Sequence, residues 1–560
     1  MMPGKSRSNV HVRRPPAFVV LVLALFAVAF RWARAEEASG SGPELARHLF
    51  ATIGCAGCHS IADPTLNVRG GSGPDLRRIA AKMKPSRALR WVMAPQKVVA
   101  TTWMPHLLDE SDREEARAIV AYLWNTSQRS AAYPIPPTGD STRGEALFNS
   151  VGCTGCHIRD AGAARQDFTE PYRLHGPNLI EVGCRVDAAW LFAWLRDPRS
   201  YAPETRMPDL RLSDREAADL TAFLVGTCSA EDESEELVSA DEAEVRAGRD
   251  AIELYGCYGC HRIAGFENAG KHAGELSSTA EFSGHGMSGL PDFRLSARER
   301  EIIRAAVRAP TEPRTSRIAE GSNLIARYNC RGCHLIEGTG GALDTVIDDP
   351  ALLPPSLNGE GSKVQPDWLA GFLHDPGTVR LRSWLSVRMP TFGFSEEQLT
   401  TIVDYFQALE PRLPELAPAV PPTVDSIELG REAFDLMPCG SCHPTEDVRE
   451  VVEIDTASLG PPLAIASRRL RYEWIELWIR EPQRLAPGTR MPTFFIERRP
   501  GIRLSPFAGA IDSPLLAEPK ARMLQHLGSE QEIEAFLNDA DAVIGAIRDY
   551  VWSLGEEDSN

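Results

Sequence analysis

STRGEALFNSVGCTGCH, residues 141–157, runs an amphipathic helical stretch straight into the motif Cys153-Thr154-Gly155-Cys156-His157. The same Cys-x-x-Cys-His pattern recurs at Cys55/Cys58/His59, Cys257/Cys260/His261, Cys330/Cys333/His334 and Cys439/Cys442/His443. This is what covalent haem c attachment requires: two thiols add across the porphyrin vinyl groups, and the adjacent imidazole reaches the iron from the same turn. Ten of the twelve cysteines stand in such motifs, so five haem c groups are expected. Structural zinc is disfavoured, because it wants two thiol pairs or a pair with spaced histidines, whereas each pair here stands alone. A redox disulfide would not need the trailing histidine.

Outward from the motifs, a longer unit repeats. Helical stretches precede all five, at Gly42–Gly54, Thr142–Gly152, Val245–Gly256, Ile318–Asn329 and Ile427–Pro438. Four repeats continue with a turn, at Gly73-Pro74-Asp75-Leu76, Gly176-Pro177-Asn178-Leu179, Pro354-Pro355-Ser356-Leu357 and Gly460-Pro461-Pro462-Leu463. A tryptophan-led helix follows at Trp91–Pro95, Trp190–Pro198, Trp368–Pro376 and Trp474–Pro482, then Met104-Pro105, Met207-Pro208, Met389-Pro390 and Met491-Pro492. A final amphipathic helix closes the unit, such as Asp112–Trp124 after Ser111 or Asp214–Val225 after Ser213. The expected fold is all-α, five tandem domains each wrapped around one flat apolar cofactor: 36–134, 139–230, a shortened 242–309, 316–412, and 424–556 with an insertion at 497–539. Proline-rich or acidic spacers separate them.

In these residues the chain resembles the class I cytochrome c family, over nearly all of its length after the first 35 residues. The resemblance implies His59, His157, His261, His334 and His443 as proximal iron ligands and Met104, Met207, Met389 and Met491 as distal ones. It also implies that the carbonyls of Pro74, Pro177, Pro355 and Pro461 accept the other N–H of the histidines, fixing each ring. Met/His ligation raises the potential relative to bis-histidine. Met83, Met93, Met437 and Met523 lack the repeated context and read as packing residues. So do Trp91, Trp190, Trp368 and Trp474, on apolar helix faces. Arg206, Arg388 and Arg490, each just before a ligand methionine, are placed either at haem propionates or in solvent.

The third repeat departs from the pattern. Leu290-Pro291-Asp292-Phe293-Arg294-Leu295-Ser296 aligns with Met207-Pro208-Asp209-Leu210-Arg211-Leu212-Ser213, and Gly274-Glu275-Leu276 falls where the others carry proline. Leucine cannot ligate iron. Met287 in the glycine-rich loop 283–289 is the first candidate for that sixth position, with His285, His272 or an open five-coordinate site as alternatives. Cys184 and Cys228, the two cysteines left over, suit a disulfide, with two free thiols as the alternative. The insertion 497–539 covers a haem edge, docks a partner or elaborates the surface.

Residues 1–35 read as a signal peptide: Lys5, Arg7, Arg13 and Arg14, an apolar run from Ala17 to Phe30, then Ala33-Arg34-Ala35. Its loss would remove six cations from a net charge of −17, leaving −23. Such acidity argues against nucleic acid and suits basic patches on redox partners. The expectation is an exported, periplasmic protein with no membrane span after the leader, relaying single electrons between redox proteins and having no catalytic residues of its own. Two alternatives stay open: a peroxidase or small-nitrogen-oxide reductase using an open third haem, and the cytochrome subunit of a membrane quinol-oxidising or terminal-oxidase complex.

Overall fold

The computed structural model describes residues 45–555 apart from 62, 64–65, 67–72, 129–132, 164–170, 227–240, 270–272, 277–291, 309–315, 349–352, 379–386, 410–420, 445–458 and 500–501. The expected leader, Cys228, His272, His285, Met287 and Leu290 lie outside the described residues. The described chain is helical, with three small two-stranded sheets. No helix among the described residues is long and apolar enough to cross a membrane.

A leading helix precedes each motif: residues 45–53, Ser141–Ser150, Glu242–Tyr255, Ser316–Arg327 and Val424–Leu436. Each leading helix meets a closing helix, from the set Arg113–Asn125, Asp214–Val225, Ala297–Arg308, Glu396–Leu409 and Ala540–Ser553. Ser213 caps its helix with Glu216 in a reciprocal box, as the sequence suggests. At the first closing helix the box is formed by Asp109 and Asp112 around a short 3₁₀ turn, so Ser111 is not the cap.

Leading and closing helices cross at a glycine nine residues before the first cysteine. A Cβ there would lie 2.1 Å from the Asp219 carbonyl oxygen at Gly144, 1.9 Å from that of Ala118 at Gly248 and 1.9 Å from that of Ala546 at Gly430. At Gly321 it would lie 2.4 Å from the Tyr405 Cβ. Only a residue without a side chain lets the two backbones approach this closely. The first repeat has Ala46 there, fully buried.

The crossings show how the chain is partitioned. The helices 141–150 and 214–225, 316–327 and 396–409, and 424–436 and 540–553 pair within their own repeats. The first and third repeats pair crosswise. Helix Glu242–Tyr255 crosses Arg113–Asn125, and Ala251, Ile252 and Ile263 share a core with Leu89, Met93, Ile119 and Leu123. Leu45, Leu49, Phe50 and Ile53 share another with Leu295 and Ile303 of the third repeat. Strand Ser60–Ile61 pairs in parallel with Glu275–Leu276. The ranges 36–134 and 242–309 are therefore not the packing units. One unit joins the described residues of 45–66 to those of 273–308 and another joins 241–269 to 73–126, because each leading helix buries its apolar face against the other repeat's closing helix.

The insertion 497–539 is core rather than surface elaboration. It folds as an antiparallel ribbon, Glu497–Arg499 with Ile502–Arg503, and two helices, Ala517–Leu527 and Glu530–Asn538. Phe495 just ahead of it, with Met523 and Ile533 inside it, is fully buried in the fifth core. Arg522 grips Glu432 of the leading helix through two bonds of 2.5 and 2.7 Å. Met93 and Met437 are also core residues, as expected.

Candidate haem sites

Four of the five motifs turn out of their leading helices through a left-handed residue: Gly54, Gly152, Gly256 and Asn329 have φ of 81°, 117°, 65° and 54°. That conformation suits glycine and asparagine and costs other residues. The turn then clasps the histidine. His157 Nδ1 donates to Pro177 O at 2.8 Å, His334 to Pro355 O at 2.8 Å and His443 to Pro461 O at 3.0 Å. Backbone bonds flank the clasp, as where Gly176 N donates to Cys156 O and Leu179 N to Ile158 O, both at 2.8 Å. Each bond through Nδ1–H leaves the unprotonated Nε2, with its lone pair, as the nitrogen that could ligate a metal. Burial lowers the pKa of His157, His334 and His443, with the carbonyl bond opposing, so the imidazoles stay neutral.

In the other two motifs the clasp is exchanged. His261 Nδ1 donates to Pro74 O at 2.9 Å, while His59 Nδ1 donates to Gly274 O at 2.9 Å. The expected partnership of Pro74 with His59 is corrected accordingly, and the cause is the crosswise helix packing. Gly274 stands in for the missing proline because only a backbone carbonyl is needed.

Motifs also meet in pairs. A Cβ on Gly57 would lie 1.8 Å from Gly259 O, and one on Gly332 would lie 2.3 Å from Gly155 O. Asn329 Nδ2 donates to the carbonyls of Gly155 and Tyr172 at 3.3 and 2.9 Å. The loops after Pro105 and Pro291 pair through His106 and Asp292, as those after Pro208 and Pro390 do through Asp209 and Thr391. In the sequence the bridged residues His106, Asp209 and Thr391 each stand two positions after Met104, Met207 and Met389, as Asp292 stands two after Leu290. A different contact joins repeats one to two and four to five. Asp187 N donates to Lys82 O and Arg471 N to Lys363 O, and each lysine ammonium sits over an indole, at 4.9 Å on Trp190 and 5.7 Å on Trp474. Those tryptophans are buried packing residues. Among the described residues the fifth motif meets no other in this way: Ser441 holds the position of the pairing glycines, and Gly440, Ser441 and Cys442 are exposed.

One continuous cavity of about 2000 Å³ takes in His157, His261, His334 and His443 together with Met104, Met207, Met389 and Met491. That is at least twice the roughly 300–1,000 Å³ of a typical single-ligand site. In a chain of net charge −17 its described wall carries eleven Lys and Arg residues against four Asp and Glu. Desolvation, reinforced by Arg185, pushes Lys82 down to about 8, and desolvation with Arg327 nearby pushes Arg206 to about 10. An apolar cavity with desolvated cations, neutral imidazoles and thioether sulfurs fits haem c, a flat apolar group bearing two carboxylates. Arg388 instead pairs with Glu216.

Several positioning features escape a reading of the motifs alone. Thr102, Thr205 and Thr489 accept the backbone N–H of Met104, Met207 and Met491 at 3.2, 3.1 and 3.3 Å, a Thr-x-Met-Pro signature visible in the sequence. Trp194 Nε1 donates to Met207 Sδ at 2.8 Å. Counted from the helix-ending proline, Trp194 aligns with Trp91, Phe372 and Trp478, so Trp91 corresponds to Trp194 and not to Trp190.

The cysteines are not poised for thiol chemistry. Burial pushes Cys55, Cys153, Cys257 and Cys330 up to about 12, where a redox thiol needs the reverse. The ten motif cysteines form no disulfide. Cys184 is disulfide-bonded; its expected partner Cys228 lies outside the described residues. Among the described residues no cluster of three His, Cys, Asp or Glu could hold a metal ion.

No curated protein and no solved structure matches the chain. Residues 141–227 and 318–410 match the family model for cytochrome c, and both are units whose leading and closing helices pair within one stretch of sequence. The match in these two regions supports a c-type cytochrome, for which haem-based electron transfer is the implied chemistry.

Proposed function

We propose that this protein is a pentahaem c-type cytochrome relaying single electrons between redox proteins outside the cytoplasm, and that it is an electron carrier rather than an enzyme. The continuous cavity shared by four histidines and four methionines carries the reading. Haem c supplies one-electron oxidation and reduction at its iron. The chain attaches each group through two cysteines and presents Nε2 of the clasped histidine. For the haems on Cys153/Cys156, Cys330/Cys333 and Cys439/Cys442 it adds Met207, Met389 and Met491. Glycine contacts between motifs hold the groups close, as a relay needs. Export fits c-type cytochromes in general and the leader-like residues 1–35, and the acidic surface fits a basic redox partner.

Haem quantitation with spectroelectrochemical titration of the purified full chain tests this. The expected result is five haems per chain, at least four low-spin and of moderately high potential. A count below five, or all midpoints well below zero, defeats the reading.

The Trp194 bond to the Met207 sulfur would draw electron density from that sulfur, weaken its donation to ferric iron and so favour the ferrous state further. Trp194→Phe is expected to lower one midpoint by at most about 40 mV, taking a hydrogen bond of about 1 kcal/mol and 59 mV per tenfold for one electron. An unchanged set of five midpoints would contradict that role.

A further inference from the structure

We infer that Met104 belongs to the haem on Cys257 and Cys260, and that the haem without a Met-Pro partner is the one on Cys55 and Cys58. The inference rests on the haem-binding reading above and names which residues share one iron. Read along the chain, Met104 follows His59 and Leu290 follows His261, so the third haem would lack methionine. The fold reverses this.

Four independent contacts agree. The Nδ1 of His261 is held by Pro74 O, in the turn that leads to Met104. The Nδ1 of His59 is held by Gly274 O, in the turn that leads to Leu290. The helix before Cys257 crosses Arg113–Asn125, which closes the Met104 loop, whereas the helix before Cys55 shares its core with Leu295 and Ile303 beyond Leu290. Met104, Gly73, Pro74, Cys260 and His261 line one cavity. A Cβ on Gly73 would fall 2.4 Å from His261 Cε1, the same relation Gly176 has to His157 and Gly460 to His443. The imidazole and the methionine loop of one haem site are thus supplied by segments about 150 residues apart in the chain. The open question of a sixth ligand then falls on the haem of Cys55 and Cys58 and not on that of Cys257 and Cys260.

The test labels each haem while leaving it attached. Cys58→Ala or Cys260→Ala leaves one thioether and one intact vinyl group, whose conjugation shifts the absorption band of that haem alone. Met104→His is then added to each, and spectroelectrochemistry follows which band moves to low potential. The expected result is that the band labelled by Cys260→Ala titrates lower and the band labelled by Cys58→Ala does not. The opposite pattern overturns the assignment, as does a Met104→His chain with no shifted haem. If Met104 moves the Cys260-labelled band in a chain carrying fewer than five haems, the five-haem reading fails and the pairing stands.

Discussion

Gly248→Val is expected to destabilise the protein by about 3 kcal/mol or more, at the upper end for overpacked cores. The glycine Cα faces a backbone carbonyl, that of Ala118, at a distance where an added Cβ would sit 1.9 Å from the oxygen and 3.0 Å from the Tyr122 Cβ. No rotamer of valine relieves a clash made by its own Cβ, so the two helices must separate. Denaturant titration gives the magnitude, and hydrogen exchange gives the place. Protection should fall in Arg113–Asn125 and remain in Ala297–Arg308. Loss of protection in 297–308 instead would show that the first and third repeats close on themselves.

Gly57→Val is the second large effect, again about 3 kcal/mol. Its Cβ would stand 1.8 Å from Gly259 O and 2.8 Å from the Gly259 carbonyl carbon, so the paired motifs must move apart. Weakened magnetic coupling between two haems, read by electron paramagnetic resonance, should accompany the loss of stability. Ser441→Gly at the exposed fifth motif serves as control and should change stability by no more than about 0.5 kcal/mol. A Gly57→Val chain as stable as the parent, with coupling intact, would show that the motifs do not touch.

Much of the site is legible in the sequence because its parts are local. Cys153 and Pro177 stand close in the sequence, and so the histidine clasp that the resemblance implies is met within the second, fourth and fifth repeats. Leu290 could be set against methionine because the flanking residues Pro291 and Asp292 repeat Pro208 and Asp209. The exchange between repeats one and three leaves no such trace, since two leading helices of the same amphipathic pattern satisfy either closing helix equally well at the level of pattern. A weaker signal is steric. Gly248 meets a helix carrying Tyr122, as Gly144, Gly321 and Gly430 meet helices carrying Phe223, Tyr405 and Tyr550, whereas Ala46 shares its cluster with the smaller Ile303 and Val307. The pairing of motifs is written in Gly57, Gly155, Gly259 and Gly332, and its absence in Ser441. The core role of 497–539 was hidden because an inserted segment has no counterpart to align with.

The exchange also dictates an order of assembly. His157 and Pro177 are 20 residues apart, whereas His59 and Gly274 are 215 apart. Closing the longer loop costs about 2 kcal/mol more in chain entropy, and at ~5–20 residues per second its two ends emerge roughly 10–40 s apart. The second repeat can mature while the first still waits for its other half. Any chain ending before residue 273 never supplies that half, so the N-terminal motif, first to be made, is among the last to be enclosed.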